Sequence, residues 1–332
     1  MGTRLARVVA RALALAAAFA ISTWPVGAGA QEAPAFPSRP IKLVVPYPPG
    51  ALTDLLARAL AERLRVPLKQ PIVIDNRPGA GTLIGAEFVA HQPADGYTLL
   101  MATSTTLGIS PALYPKSPID SVRDFSPVAM VGPVTFFLIA NSEFPARDMP
   151  GFLAAVKARP DAYNYASVGN GSPHHLFMES LKIQTGLQAQ HVPYKGTLAA
   201  MPDLLTGKVQ FMFSDATAAL PQIRAGKVIA LGTSAAKPTT LVAGVPPIGA
   251  TVPGFDAQAW QGVVAPAGTP REILTRLNAE LNRIVDSDEF RQQLTNFGMD
   301  PNPMSVDEFG GLIRTDVARW ADAVKRSGAK VD

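Results

Sequence analysis

The chain of 332 residues contains no cysteine, only four histidines and three tryptophans, and few charged residues, 17% of the total. Without cysteine there is no disulfide, no thiolate ligand and no lipid-modified amino terminus, so stability must come from a packed core. The histidines are His91, His174, His175 and His191. Adjacent His174 and His175 at a helix start cannot both reach one ion, and no thiol supports them, so no metal is expected. There is no basic tract of five residues and no basic patch interleaved with aromatics, which excludes nucleic acid as a partner. A phosphate-binding G-x-x-x-x-G-K-[ST] is absent too. What is abundant is hydrophobic residue, 47%, enough to exclude a disordered chain and to fill two cores of ordinary size.

The amino terminus has its own pattern. Arg4, Arg7 and Arg11 precede an Ala/Leu run from Ala12 to Ile21, and Ala28-Gly29-Ala30 closes it. This is the layout of a secretory signal peptide cleaved between Ala30 and Gln31, which marks the mature chain for export. Its loss would leave 27 basic against 26 acidic residues, a net charge of +1. Beyond it no run of eighteen apolar residues exists.

From Ile41 a strand-loop-helix unit repeats. Ile41 to Val45 is an unbroken apolar run suited to a strand covered on both faces. Pro46, Pro48, Pro49 and Gly50 end it, and Thr53 with Asp54 falls where an N-cap and a first-turn acid belong. Leu52, Leu55, Leu56, Ala59, Leu60 and Leu64 then recur at helical spacing. The same plan follows the strands expected at Pro71 to Asp75, Tyr97 to Ala102, Tyr163 to Ser167, Gln190 to Tyr194 and Val209 to Phe213. Six short strands thus lead into six small or polar loops. In open α/β sheets ligands bind beyond the carboxyl ends of the strands, and helix starts there offer N–H groups to an anion.

The fold class is α/β in two lobes, one built from residues 31–134 and 259–332 and the other from 135–258. Gly132-Pro133 marks the first crossing, near 132–136, and the return runs near 256–262. Two helices of the tail carry capping-box spacing, at Thr269 to Glu272 and at Ser305 to Glu308. With no strands of their own to cover, these helices should return to the first lobe.

Catalytic patterns do not assemble. The loop after Tyr165 has Ala166-Ser167-Val168-Gly169, without the first glycine of a hydrolase elbow. Ser172 could meet His175, but directly before Pro173 it reads as an N-cap. Gly79 to Gly85 follows a strand, yet its spacing is wrong for a dinucleotide loop and no acid ends the next strand. No cofactor is expected, and no enzymatic activity.

Seven stretches carry a resemblance. They are Ser38 to Asp54, Val73 to Ala90, Asp95 to Ser104, Asp124 to Val131, Tyr165 to Leu176 (YASVGNGSPHHL), His191 to Gly196 (HVPYKG) and Trp260 to Pro270. In content and order the chain resembles the extracytoplasmic solute receptors of the tripartite tricarboxylate transporter family, the Bug-type receptors. The resemblance implies a periplasmic binding protein fold, type II-like, with each lobe a mostly parallel sheet flanked by helices. It implies capture of a small organic carboxylate by a monomer and delivery to the membrane permease subunits of a tripartite transporter. The ligand contacts it implies in the first lobe are Gly50, Ala51, Leu52, Thr53, Asp54, Ala80, Gly81, Thr82, Thr103 and Ser104. In the second they are Ser167, Gly169, Gly171, Ser172, His175, Tyr194, Lys195 and Asp215. The family usually has a second glycine after Gly50, where this chain has Ala51 and Leu52. Two alternatives share these features: a ligand sensor for a membrane signalling partner, and an exported serine hydrolase using Ser172 or Ser167 with His175.

Overall fold

A computed structural model describes residues 36–160, 162–239, 241–255 and 257–330. The leader expected over residues 1–30, with its cleavage point at Ala30/Gln31, lies outside the described residues.

The first sheet takes β1 (Ile41–Val45), β2 (Ile72–Asn76), β3 (Thr98–Thr103), β4 (Phe125–Val134) and β10 (Ala259–Pro266). Its spatial order is β2-β1-β3-β10-β4. The second takes β5 (Phe136–Asn141), β6 (Asn164–Ser167), β7 (Gln190–Pro193), β8 (Phe211–Asp215) and β9 (Val228–Thr233), in the order β7-β6-β8-β5-β9. The two sheets share one plan. In each, the fourth strand in space runs against its neighbours: β10 is antiparallel to β3 and β4, and β5 to β8 and β9. These reversed strands are the two that enter a sheet from the other one. Thr135 alone separates β4 from β5, and the chain comes back between Thr233 and Ala259.

Helices cover both sheets because their apolar stripes match the buried strands. They are α1 (Leu52–Leu68), α2 (Leu83–Ala90), the short α3 (Ser110–Leu113), α4 (Met149–Ala158), α5 (Pro173–Thr185), α6 (Thr197–Leu205), α7 (Ala216–Arg224), α8 (Arg271–Asp286), α9 (Asp288–Asn296) and α10 (Val306–Ser327). One core gathers Val44, Leu83, Val89, Leu100, Leu107, Met130, Trp260, Phe309 and Ile313. The other gathers Phe137, Ile139, Met201, Leu204, Met212 and Ala219. As expected, the tail packs on the first sheet, α8 and α10 both lying against β4. It also does something more: α10 reaches α5, stacking Trp320 on Phe177 with ring centroids 5.8 Å apart.

Some local expectations are corrected. The first helix starts at Leu52 with Ala51 as its N-cap, so Thr53 lies inside it. Thr53 Oγ1 instead accepts a hydrogen bond from Gln261 Nε2 at 3.0 Å, tying the helix to β10. Ser305 and Glu308 form the expected capping box, whereas Pro270 occupies the N-cap of α8. That puts Thr269 one position outside the helix, and its hydroxyl donates to Pro266 O at 2.8 Å. The strand expected to end at Phe213 runs on to Asp215, since pairing with β5 extends from Ala140↔Phe211 to Phe136↔Asp215. Nonlocal pairing, not the apolar run, sets where that strand stops.

Candidate functional site

The parallel strands of the first sheet end in three loops that side chains tie together. Asp54, 1% exposed, accepts hydrogen bonds from Gly50 N–H, Arg58 Nε and Asn76 Nδ2, each at 2.9 Å. Burial alone would raise its pKa, but these donors and the Arg58 charge outweigh it and hold the carboxyl below its ordinary range. Asp54 therefore shapes the β1–α1 loop and leaves no free negative charge there. Ala51 sits at φ −67°, so the missing glycine costs no backbone strain. Leu52 is half-buried beside it.

After β2 the chain makes a left-handed turn. Ala80, Gly81 and Thr82 have φ of 46°, 60° and 82°, a conformation that side chains other than glycine's resist. Such strain is characteristic of functional loops. Ser110 Oγ holds the turn by donating to Gly81 O at 2.5 Å. At the end of β3, Thr103 Oγ1 is bound to Tyr47 OH at 3.1 Å and Thr106 Oγ1 at 3.0 Å. Two hydroxyls near these tips stay unsatisfied: Thr82 Oγ1 and Ser104 Oγ are buried without a hydrogen-bond partner. Their residues are 6% and 1% exposed, and such groups call for an explanation.

In the second sheet β6 ends at Ser167 and the loop turns into α5. Gly169 and Gly171 both need positive φ, 118° and 71°. Ser172 is the N-cap of α5: its Oγ accepts from His175 N–H at 3.3 Å and donates to Gly169 O at 2.7 Å. The serine–histidine pairing of the hydrolase alternative is absent, since the His175 ring accepts instead from Gly171 N–H, 3.1 Å from Nδ1. Ser167 Oγ shares a 2.5 Å hydrogen bond with His191 Nε2, a residue not singled out from sequence. The rings of His191 and His175 stack at 4.1 Å, and Tyr165 stacks on His191 at 4.9 Å. Tyr165 OH donates to Glu179 Oε1 at 2.5 Å, which Lys182 Nζ also reaches at 2.7 Å. Burial lowers the pKa of His175; burial and then the neighbouring His175 push His191 down to about 4. Both rings are thus neutral near pH 7.

Tyr194 donates through its hydroxyl to Asp203 Oδ2 at 2.9 Å, and its N–H bonds Ser167 O. Lys195 is exposed beside it. Asp215 caps α7, accepting from Ala218 N–H at 3.1 Å and from the Thr217 hydroxyl. Burial would raise its pKa, but contacts with His174, Thr217 and Ala218 bring it to about 2. His174 Nε2 lies 3.8 Å from Asp215 Oδ2, too long for a hydrogen bond, so that contact is electrostatic. Both acids near the loops are consumed within the protein, as Asp54 is, while hydroxyls and helix starts remain.

The two sets of loops meet. A Cβ added to Gly171 would fall inside the Leu113 side chain, so this second-sheet loop touches α3 of the first half. A separate hollow of about 500 Å³ is lined by Leu153, Lys157, Gln184, Thr185 and Thr251–Gly254, none of them a strand-tip residue.

Two mixed sheets of matching plan, whose halves touch where Gly171 meets Leu113, define a two-lobed α/β fold. The chain belongs to the tripartite tricarboxylate transporter family receptors, whose family model matches residues 56–329. Protein BugT of Bordetella pertussis is 36% identical over 302 residues, covering 90% of this chain and 93% of the relative. Among solved structures, R. palustris Rpa4515 with adipate is 33% identical with a TM-score of 0.77, over 89% of this chain and 99% of that one. MatC from Rhodopseudomonas palustris with bound malate is 34% identical with a TM-score of 0.73, over 87% and 100%.

Proposed function

We propose that this receptor captures a small organic carboxylate between its strand-tip loops in the periplasm and, as a monomer, delivers it to the permease subunits of a tripartite transporter. The lobes of this reading are residues 31–134 with 259–332, and 135–258. One observation carries it: Thr82 Oγ1 and Ser104 Oγ, after the two strands that flank β1, are buried without partners, while Asp54 and Asp215 are satisfied internally. Unspent donors beside neutralised acids suit an anionic guest. The helices α1, α5 and α7 are each the next element after a strand, β1, β6 and β8, where their first turns add N–H groups. That similar receptors hold adipate and malate supports the carboxylate class.

On this reading Gly50 to Asp54, Ala80 to Thr82, Thr103 and Ser104 form the first half-site. Ser167, Gly169, Gly171, Ser172, His175, Tyr194, Lys195 and Asp215 form the second. Asp54, Ser172 and Asp215 act by shaping loops, since their side chains are engaged by the protein. Output is closure of the lobes, without bond-making.

A thermal-shift screen of mono-, di- and tricarboxylates tests this, because a ligand of the native state raises Tm by mass action. Stabilisation by carboxylates, weakened in Thr82→Val and Ser104→Ala, is the expected result. Stabilisation only by sugars or neutral amides would sink it.

A further inference from the structure

The Val168–Ser172 loop is held at its second glycine by an imidazole nitrogen. Gly171 N–H donates to His175 Nδ1 at 3.1 Å, so Nδ1 must carry a lone pair and not a proton. Within the same loop, Gly169 N–H donates to Ser167 Oγ at 3.1 Å, and Ser167 Oγ is bound to His191 Nε2. The two rings that hold the loop are themselves stacked, 4.1 Å apart and 10° from parallel. We infer that the loop is gated by protonation of this histidine pair: a proton on His175 Nδ1 sets donor against donor, releases Gly171 and opens the ligand loop. The inference rests on the reading of this loop as part of the carboxylate site, whose regulation it names.

The surroundings decide how the pair responds. On α5, Glu179 favours a proton on His175 while Lys182 opposes it. Glu179 is already shared between Tyr165 OH from β6 and Lys182 Nζ, which spends its charge. From β7, His191 faces His175 ring to ring, so a second positive charge would sit 4.1 Å from the first. Ser167, the remaining polar neighbour of the pair, is uncharged. The neighbouring His174 turns toward Asp215 and Phe136. Among the described residues, the carboxylate that acts on the pair, Glu179, is already engaged by Tyr165 and Lys182, so charging the pair disrupts the geometry around it. Gly171 is also where the loop meets Leu113, so its release loosens the contact between the two half-sites.

Two measurements test the gate from about pH 7.5 down to about pH 4, because burial lowers His175 below the ordinary histidine value and carries His191 down to about 4. The first is amide hydrogen exchange of residues 168–172 in the ligand-free protein. Protection at Gly171 should fall about tenfold, the consequence of losing one hydrogen bond. The second is calorimetric titration with adipate and with malate, where affinity should fall with the same midpoint. Comparison with His175→Gln at each pH removes the titration of the acids themselves, and the variant should show neither step. Constant Gly171 protection, an unchanged step in His175→Gln, or tighter binding at the acid end would each overturn the gate. NMR titration of the wild-type histidine ring protons guards against misfolding of the variant: a His175 midpoint away from that of the loop also overturns it. If neither acid binds at pH 7.5, the carboxylate that stabilises the protein in the thermal-shift screen takes their place; a screen in which no carboxylate stabilises it sinks the carboxylate reading, and the exchange experiment still decides the gate.

Discussion

His175 and His191 stack with their ring centroids 4.1 Å apart although one comes from helix α5 and the other from strand β7. Strand register produces this contact: β6 pairs with β7 so that Tyr165 lies opposite His191, and α5 lays His175 across both. The stack ties the polar tip of β6 to the helix that follows it.

A pH dependence follows. Burial lowers the pKa of His175, and burial with the neighbouring ring lowers that of His191 to about 4 against 6.5 in the unfolded chain. Between those values the unfolded chain binds more protons, so this contribution to stability is fully present above pH 6.5 and is lost as the pH falls toward 4. Melting curves should show Tm falling over that window. His191→Gln, which can still bond Ser167, should flatten the fall; an equally steep fall would refute the assignment.

Asp54 joins three donors from three places in the chain. Asp54→Ala would leave the Gly50 N–H without its acceptor, take one of two acceptors from the Asn76 amide, and leave Arg58 with its bond to Asn76 Oδ1. A loss of about 2–3 kcal/mol is expected by chemical denaturation, as for hydrogen bonds to a charged group. Carboxylate binding should weaken as well, through loss of the loop shape. Asp54→Asn, which keeps an acceptor oxygen, should lose less.

Gly171 has φ +71° and no room toward Leu113. Gly171→Ala should cost about 1–2 kcal/mol of backbone strain. It should also weaken ligand binding by holding the half-sites apart. Leu113→Ala in the same chain should restore the binding, while the strain remains. A double-mutant cycle measured by calorimetry separates the two effects; additive binding losses would exclude the contact.

Trp320 lies 2% exposed on α10, stacked on Phe177 of α5, with its Nε1 donating to Asp316 Oδ2 at 2.9 Å. Trp260 Nε1 donates to the same oxygen at 2.7 Å. Trp320→Ala should cost about 3–5 kcal/mol, the range for emptying a large core site. Because this ring links a first-half helix to a second-half one, binding should weaken together with stability. Unaltered denaturation midpoints would show that the stack contributes nothing.

Much of the local structure was readable before folding. The start of α5 was legible, since Ser172 directly before Pro173 reads as an N-cap. The Ser305 capping box was readable for the same reason. Thr53 and Thr269 were misplaced, by two positions and by one, because several residues around each could serve as the cap, and tertiary partners chose among them. At the site, the polar tips were legible, but the partners of Asp54 were not: Asn76 lies 22 residues away, at the end of another strand. His191 opens the HVPYKG stretch, but its part in the site was not legible there, because only pairing with β6 brings it to Ser167.

Composition and short-range pattern by themselves determined the two-lobed α/β class, the small and polar loops at the strand tips, and the absence of thiol chemistry, because these depend on residues within a helical turn or one strand length of each other. The tertiary structure alone decided that Gly171 meets Leu113, that Asp54 and Asp215 are spent on loops and caps, and that two distant histidines share one stack. Those relations depend on strand register and on α5 lying across β6 and β7. Both are set by burial summed over entire sheets, and no local run of residues encodes them.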